Sequence, residues 1–212
     1  MTESLTIIYR DEHVVVVEKP SGLLSVPGRG PDMQDCIVNR LKAVIPDCLE
    51  QPSVHRLDMD TSGLLVLALT KEVHRNISIQ FQNRTVEKKY YALLDGLVEQ
   101  ESGTIELPFR LDPDNRPYQV YDTVHGKMGT SHWRKVAIED GKTRIDFKPI
   151  TGRTHQLRLH ASHEKGLGVP IIGDRLYGTG TVPGQLKLHA YYLSFDHPIT
   201  EKRLSFSSQC PF

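Results

Sequence analysis

Short apolar runs separated by charged positions are the main pattern along the chain, and they predict a protein built largely of β-strands. Residues 5–9 and 13–18 are rich in Ile and Val with a charged break between them, as expected for two short strands. Residues 64–69 form a continuous apolar run, which predicts a short buried strand. Beyond Val86 the pattern predicts further strands at about 86–95, 103–107, 117–122, 130–138, 143–149, 187–195 and 203–207.

Three helices are predicted between these strands. Asp32 follows a loop rich in glycine and proline and is the predicted N-cap of a helix that extends to about residue 45. Thr70 is the predicted N-cap of a second helix, and a third runs from about residue 154 to 162. The second and third helices carry apolar residues at four-residue spacing, namely Val73, Ile77, Phe81, Leu157 and Ala161. The predicted fold class is therefore α+β, a mainly antiparallel sheet with a few packed helices.

Composition excludes several classes of protein. The longest apolar runs, 14–17 and 64–69, are far shorter than the roughly 20 residues of a membrane span, and the acidic N-terminus lacks a signal-peptide pattern. The three cysteines form no CxxC pair, and the ten histidines include no HExxH. No linker divides the chain. We therefore predict one domain over residues 1–212, in a cytoplasmic protein that uses neither a membrane nor a metal.

The net charge is zero, but the charges are unevenly distributed. Lys and Arg exceed Asp and Glu by three between residues 71 and 89, and by five between residues 127 and 175. Such an asymmetry can give a neutral molecule one basic face, which is typical of proteins that bind nucleic acid. The alternative is that these charges are ordinary solvated positions.

The densest polar stretch is His-Arg-Leu-Asp-Met-Asp-Thr-Ser-Gly at residues 55–63, directly before the buried strand. Its small residues at 61–63 suit a tight turn whose backbone approaches another segment closely. Asp58 is expected near a sheet end, where its carboxylate can point into a cleft. A capping or turn aspartate is the alternative, and this stretch alone leaves it open.

A second polar stretch, residues 151–160, runs from a turn into the third helix. Arg158 can point across that helix toward an acid elsewhere, because residues three and four apart share a helix face. A partly buried arginine keeps a neighbouring aspartate ionised, as a nucleophile requires. An ordinary surface pair, worth less than about 1 kcal/mol, is the alternative.

Two tyrosines in the strand predicted at 86–95 are further candidates. Tyr90 and Tyr91 must face opposite sides of the sheet, because side chains alternate along a strand. One is expected to pack, and the other can present its phenol to a site. Alternation alone does not decide which one.

Taken together, several motifs in a fixed order resemble the RluA family of RNA pseudouridine synthases. The resemblance covers about residues 5 to 207 and rests on segments 19–22, 55–63, Lys88-x-Tyr90, 148–158, 172–178 and 188–190. It implies a mixed, largely antiparallel sheet with a central catalytic cleft, in which uridine is isomerised without a cofactor. It also implies a monomer whose partner is RNA.

The resemblance assigns roles by position. Asp58 is the expected catalytic carboxylate, Tyr90 the site tyrosine, and Arg158 the arginine that pairs with the aspartate. Arg56 is expected to fill the gap left by a flipped-out nucleotide. The remaining motif residues expected to contact substrate are His55, Thr61, Arg153, His155 and Gln156.

Within the family, the chain most resembles members that act on both an anticodon stem-loop of tRNA and a loop of 23S rRNA. Segments 21–28 and 115–119 carry this likeness. Only some ten residues precede the motif region, so no S4-type RNA-binding domain is expected.

Two other functions are compatible with the residues. Asp58 and Asp60 would face the same side of an extended segment, with Cα atoms roughly 6.5–7 Å apart, which suits the acid and base of a glycoside hydrolase or nucleosidase. The second alternative is a non-catalytic RNA-binding module that retains the fold.

Overall fold

The computed structural model describes residues 4–212, which divide into two compact units. The first unit contains the chain up to Lys88 together with His189–Pro211, and the second contains Lys89–Leu188 with Phe212. The prediction of one domain over 1–212 stays a prediction. None of the helices within residues 4–212 is long and apolar enough to cross a membrane.

The first unit is a five-stranded mixed sheet with two α-helices. Its strands pair in the order β1-β2-β3-β9-β10, and only the β3/β9 contact is parallel. The elements are β1 (Thr6–Arg10), β2 (Val14–Lys19), a 3₁₀ turn (Pro31–Met33), α1 (Ile37–Val44), β3 (Ser62–Ala68), α2 (Lys71–Gln82), β9 (Leu188–Asp196) and β10 (Arg203–Ser207).

Apolar side chains cover both faces of strand β2, which lies between β1 and β3. Residues Val14–Val17 are all 0 % exposed, which explains why their sequence is a continuous apolar run and does not alternate. Val73 and Ile77 of α2 pack into the same cluster as Val14 and Val16. The Thr70 hydroxyl accepts a hydrogen bond from the Val73 N–H at 3.3 Å, so the predicted cap is confirmed.

The second unit is a five-stranded antiparallel sheet with one helix. Its strands pair in the order β4-β8-β7-β5-β6. The elements are β4 (Glu87–Leu94), β5 (Ser102–Leu111), β6 (Gln119–Tyr121), β7 (Lys127–Glu139), β8 (Lys142–Pro149) and α3 (Gln156–Ser162). Leu157 and Ala161 of α3 are buried in the apolar cluster of this unit, as predicted. The predicted α+β class with a mainly antiparallel sheet is confirmed.

Two predicted helix starts are wrong. Asp32 lies in the separate 3₁₀ turn, and α1 begins at Ile37 with Cys36 as its N-cap. Cys36 cannot join the helix because a parallel bridge to Leu24 keeps its backbone extended. The third helix begins at Gln156 and not near residue 154, because His155 has a left-handed backbone with φ of 56°.

Candidate active site

The candidate residues are divided between the two units. The first unit carries the loop that contains Asp58, and the second carries Tyr90 and the entry to α3. First-unit candidates are His55, Arg56, Asp58, Asp60 and Thr61, and second-unit candidates are Tyr90, Arg153, His155, Gln156 and Arg158.

A buried lysine fixes the backbone beside Asp58. Lys19, at the end of β2, is 0 % exposed, and its ammonium donates hydrogen bonds to the carbonyls of Pro20, Leu23 and Met59 at 2.7 to 2.9 Å. Burial lowers the pKa of Lys19 to about 7, while the charges of Asp58 and Asp60 favour its protonated form. Three carbonyl acceptors match the three N–H donors of an ammonium group, so the geometry fits the charged lysine.

The turn after Lys19 holds the same loop at three more points. Ser25 both accepts from the Leu57 N–H at 3.0 Å and donates to the Leu57 carbonyl at 2.8 Å. The Gly22 N–H donates to the Met59 carbonyl at 2.9 Å, and the Ser21 hydroxyl donates to the Asp60 carbonyl. Residues on both sides of Asp58 are therefore anchored, which explains physically why segments 19–25 and 55–63 occur together.

His55 anchors the start of the loop to the sheet. Its Nε2 accepts a hydrogen bond from the Val66 N–H of β3 at 3.1 Å, and its ring stacks on Phe81 of α2 with centroids 4.6 Å apart. Burial and the nearby charge of Lys88 lower the pKa of His55 to about 3, so the ring is neutral. These contacts favour a positioning role for His55. Arg56, the next residue, is exposed.

The backbone around Asp58 does not have the extended conformation that the hydrolase alternative required for a pair of carboxylates, Asp58 and Asp60. Met59 and Asp60 form a turn, in which the Thr61 N–H donates to the Asp58 carbonyl at 3.1 Å, so residues 58–60 are not extended. Asp60 is 6 % exposed and Thr61 3 %, whereas Asp58 is half-buried. The two carboxylates therefore do not share one strand face as the hydrolase alternative required.

The loop leads directly into a close contact between two strands. Gly63 of β3 has φ of 117°, and a Cβ atom there would lie 2.3 Å from the Ala190 carbonyl oxygen of β9. The close backbone approach predicted for residues 61–63 is therefore confirmed. Beside it, Ser62 Oγ lies 2.8 Å from His189 Nδ1, and His189 Nε2 lies 3.0 Å from Ser208 Oγ.

In the second unit, Arg158 forms a bidentate ion pair with Asp174. The guanidinium Nε and Nη2 lie 2.8 and 2.6 Å from the two carboxylate oxygens, and both side chains are at most 5 % exposed. Arg158 also lies over the ring of Tyr177, 5.4 Å from its centroid. The ion pair and two backbone N–H donors hold the pKa of Asp174 below its ordinary value, although burial opposes this. Arg158 is thus held rigidly, as a buried bidentate pair requires.

Tyr177 links this pair to His155. Its hydroxyl accepts a hydrogen bond from the Gln119 N–H at 2.8 Å and lies 2.9 Å from His155 Nδ1. His155 is 9 % exposed and is the left-handed residue that precedes α3. The backbone turn at His155 therefore sets the direction in which the helix carries Arg158.

Gln156 holds the loop before α3 in place. Its amide nitrogen donates to the Thr130 carbonyl at 3.0 Å and to Ser131 Oγ at 2.9 Å, and its amide oxygen accepts from Thr151 Oγ and the Arg153 N–H. All four hydrogen-bonding positions of the amide are thus occupied within the chain. This favours a positioning role for Gln156, and the predicted substrate contact stays a prediction.

The structure distinguishes the two tyrosines of β4. Tyr90 packs against the apolar cluster that contains Ala92 and Leu94, its neighbours on the same strand face, together with Leu157 of α3. Tyr90 is half-buried there. It is therefore the tyrosine on the sheet face that α3 covers, whereas Tyr91 faces the other side.

Sequence reasoning left several site residues without a role. Lys19, Asp174, Tyr177 and His189 all lie within motifs that carry the family resemblance. Their partners are distant in sequence, however: Lys19 reaches Met59, and Arg158 reaches Asp174 sixteen residues away. Residue spacing contains no signal for such contacts. The one available signal was the position of Lys19 directly after the apolar strand predicted at residues 13–18.

Comparisons with known proteins agree with this geometry. Residues 13–163 match the family model described as RNA pseudouridylate synthase. A Haemophilus influenzae protein named dual-specificity RNA pseudouridine synthase RluA is 42% identical, over 98% of this chain and 94% of its own length. The Escherichia coli protein of the same name is 40% identical with the same coverage.

Solved structures give the same result. The human RNA Pseudouridylate Synthase Domain Containing 1 superposes with a TM-score of 0.78 at 29% identity, covering 100% of this chain and 86% of that one. The human RNA Pseudouridylate Synthase Domain Containing 4 gives a TM-score of 0.76 at 25% identity, covering 97% and 88%. The predicted family resemblance and the predicted enzyme class, an isomerase, are confirmed. This chain belongs to the RNA pseudouridylate synthase family, among relatives of the RluA type.

Proposed function

We propose that this protein converts uridine to pseudouridine in structured RNA, with Asp58 as the catalytic carboxylate. The observation that carries the proposal is the anchoring of the Asp58 loop, whose backbone is fixed at Leu57, Met59 and Asp60 by residues 19–25. A carboxylate on a loop held this closely is preorganised for one geometry, which is what charge stabilisation in a transition state requires.

The reaction needs a carboxylate and a proton transfer but no external reagent. The C1′–N1 bond of uridine breaks, the base rotates, and C1′ bonds to C5, while the proton of C5 is lost and N1 gains one. Positive charge develops at C1′ when the glycosidic bond breaks, and ionised Asp58 either stabilises that charge or attacks C1′. A route through C2′ deprotonation is the other possibility. Tyr90 is the candidate for assisting the proton transfer.

Arg158 is proposed to pair with Asp58 and keep it ionised. The bidentate pair with Asp174 holds the guanidinium in one orientation, and its positive charge would favour the ionised form of a carboxylate beside it. Asp174 thereby fixes the orientation of the arginine. Arg56, Thr61, Arg153 and His155 are proposed to contact the RNA around the target uridine.

The proposed substrates are an anticodon stem-loop of tRNA and a loop of 23S rRNA. Relatives about 40% identical over nearly the whole chain are named dual-specificity RNA pseudouridine synthases, which supports two RNA classes. Flipping the target base costs a few kcal/mol and costs least in a loop. We further propose a cytoplasmic monomer that needs no metal or cofactor.

The test incubates the purified protein with unmodified tRNA and 23S rRNA transcripts, with and without a chelator. Pseudouridine is mapped by carbodiimide labelling and primer extension. Stops in both RNA classes are the expected result, and stops in one class would remove the dual specificity. Asp58→Asn should lower the rate by at least about 10³-fold while the RNA dissociation constant stays within about threefold.

Asp60→Asn is the matched control, since it neutralises the neighbouring carboxylate in the same loop. It should retain far more activity than Asp58→Asn when both variants are shown to be folded. Equal losses, or release of free uracil, would contradict the proposed roles. Retention of a tenth of the rate by Asp58→Asn would remove Asp58 from the mechanism.

A further inference from the structure

A basic cavity lies on the second unit, where β5 ends and β6 and β7 begin. Its volume is about 390 Å³, within the range of small-ligand clefts. The residues that line it include three cationic side chains, Arg110, Lys127 and Arg153, and also His125. No Asp or Glu is among the lining residues. This concentration of one charge sign distinguishes the cavity from the rest of an electrically neutral chain.

Two of the three cationic side chains, Arg110 and Arg153, are fixed by hydrogen bonds from their Nε atoms to other residues of the unit. Arg110 Nε donates to Asp122 Oδ2 at 2.6 Å, and Asp122 Oδ1 accepts from the N–H groups of Val124 and His125 at 2.8 and 2.9 Å. Arg153 Nε donates to the Met128 carbonyl at 2.8 Å. A guanidinium whose Nε is already bound loses less rotamer entropy when it meets a ligand. The cavity is therefore preorganised for an anion.

The charges specify a phosphate and not a base. Arg110, Lys127 and Arg153 outweigh the two carboxylates that interact with Arg110, Asp122 and Asp112, by one positive charge even without His125. Phe109 is 2 % exposed, so its ring face cannot stack on a base, and His125 is the one exposed aromatic ring among the lining residues. Three Lys and Arg side chains beside a single imidazole favour the nucleic-acid backbone over a base.

We propose that this cavity binds a backbone phosphate of the RNA substrate; the inference rests on the proposed function. The loop that lines the cavity, Gly152–Thr154, leads directly into α3, and Arg153 precedes Arg158 by five residues. Phosphate bound at the cavity would therefore fix RNA beside the element that carries the proposed partner of Asp58. Arg153 contacts the phosphate in this assignment, and Lys127 supplies a second exposed charge.

The experiment compares Lys127→Gln with Lys142→Gln in the full-length protein. Both variants remove one positive charge, but Lys142 follows β7 at its other end, roughly 40 Å away by the rise of a 13-residue strand. Dissociation constants for a tRNA anticodon stem-loop are measured from 50 to 200 mM salt. Lys127→Gln should reduce the slope of log K against log salt by about 0.7 to 0.9, the value for one phosphate contact. Raising the salt from 50 to 200 mM should therefore weaken RNA binding about threefold less for Lys127→Gln than for wild type.

Single methylphosphonate substitutions along the stem-loop identify the phosphate. One substitution should weaken binding to wild type and to Lys142→Gln but have no further effect on Lys127→Gln. Inorganic phosphate titrated at constant ionic strength should not displace the RNA, and displacement at millimolar concentration would assign the cavity to free phosphate instead. Equal salt slopes for Lys127→Gln and Lys142→Gln would overturn the proposal.

Binding and catalysis are read separately in this design. At saturating RNA, Lys142→Gln should form pseudouridine at the wild-type rate, because its charge lies outside the cavity, whereas Lys127→Gln should raise the RNA concentration that gives the half-maximal rate. A wild-type protein that binds RNA but makes no pseudouridine would contradict the proposed function, while the salt-slope comparison would still test the cavity.

Discussion

The Lys19 ammonium donates a 2.8 Å hydrogen bond to the carbonyl of Met59, which joins the end of β2 to the residue that follows Asp58. The bond spans forty residues of sequence and is accompanied by two further carbonyl contacts from the same nitrogen. A fully buried cation placed there serves two purposes. It satisfies three backbone carbonyls, and it places a positive charge close to the carboxylates of Asp58 and Asp60, whose charges favour the protonated lysine.

Replacement of Lys19 by Met tests this role. The variant keeps the length and apolar stem of the side chain but removes a donor from three carbonyls; Met59 keeps the Gly22 N–H, whereas Pro20 and Leu23 lose the donor described here, at about 1–3 kcal/mol for each group that stays unsatisfied. We expect the free energy of unfolding to fall by roughly 3 kcal/mol or more in urea titrations. We also expect kcat to fall more than KM rises, because the loop that carries Asp58 loses an anchor.

Lys19→Arg serves as the second variant. It keeps the charge but cannot fit three carbonyls around one nitrogen, so it should recover part of the stability and less of kcat. Full activity of Lys19→Met in a folded protein would show that the loop is positioned without this lysine.

The fold was predictable from sequence wherever the local pattern decides it. Strand alternation and apolar runs predicted the strands, and the Thr70 cap was read correctly from its position. Predictions failed where a tertiary contact decides. The bridge between Leu24 and Cys36 delays α1, and the left-handed His155 delays α3, and neither leaves a periodic signal.

The candidate site shows the same division. Asp58, Tyr90 and Arg158 became candidates because whole motifs resemble a family, and their roles stay predictions; alternation alone could not choose between Tyr90 and Tyr91. Tyr90 packs against the apolar cluster that includes Leu157, so it lies on the sheet face that α3 covers, and its role as the site tyrosine stays a prediction. The ion pair between Arg158 and Asp174 was not predicted for a similar reason. The two residues are sixteen positions apart, and only folding of the chain brings them together.

Asp174→Asn should separate orientation from charge at Arg158. The amide keeps the shape of the side chain but loses the charge and one of the two acceptor oxygens that form the bidentate pair. We expect kcat to fall by about 10- to 100-fold with little change in KM, since Asp174 orients Arg158, the proposed partner of Asp58. Stability should fall by about 3 kcal/mol, because a buried charge loses its partner.

A double-mutant cycle supplies the control. Arg158→Lys should also lower kcat, and the double variant should be scarcely worse than either single one if the two residues act as a pair. Additive losses in kcat would show that Asp174 acts independently of Arg158. A loss of stability with kcat unchanged would make Asp174 purely structural.

Two glycines with positive φ form a matched pair for the β3/β9 contact. Gly63→Ala places a Cβ 2.3 Å from the Ala190 carbonyl oxygen, whereas Gly141→Ala, at φ of 75°, meets nothing within 4 Å. Gly141→Ala should cost about 1–2 kcal/mol from backbone strain alone. Gly63→Ala should cost at least about 3 kcal/mol and reduce activity, because the strand that follows the Asp58 loop must move. Similar costs in urea unfolding would show that β3 and β9 can separate without penalty.

Two buried histidines should make the protein sensitive to mild acid. His160 and His189 are 0 % exposed, and burial lowers the pKa of each to about 4, below the value of about 6.5 expected in the unfolded chain. Above pH 6.5 both are neutral in either state and contribute nothing. Between pH 6.5 and 4 the unfolded chain binds protons that the folded chain does not. The free energy of unfolding should therefore decrease by up to about 1.4 kcal/mol per pH unit for each histidine.

The variant His160→Leu measures the contribution of His160 to this pH dependence. Within residues 4–212 neither ring nitrogen of His160 has a hydrogen-bond partner, so an apolar residue should raise stability at pH 7 by about 1 kcal/mol. The same variant should lower the pH slope of the unfolding free energy by up to one proton, whereas His132→Gln, at an exposed position, should leave it unchanged. Urea titrations from pH 4 to 7.5 measure both effects. An unchanged slope in His160→Leu would place the acid-sensitive group elsewhere, and a loss of stability at pH 7 would show that the buried imidazole is satisfied by a partner such as bound water.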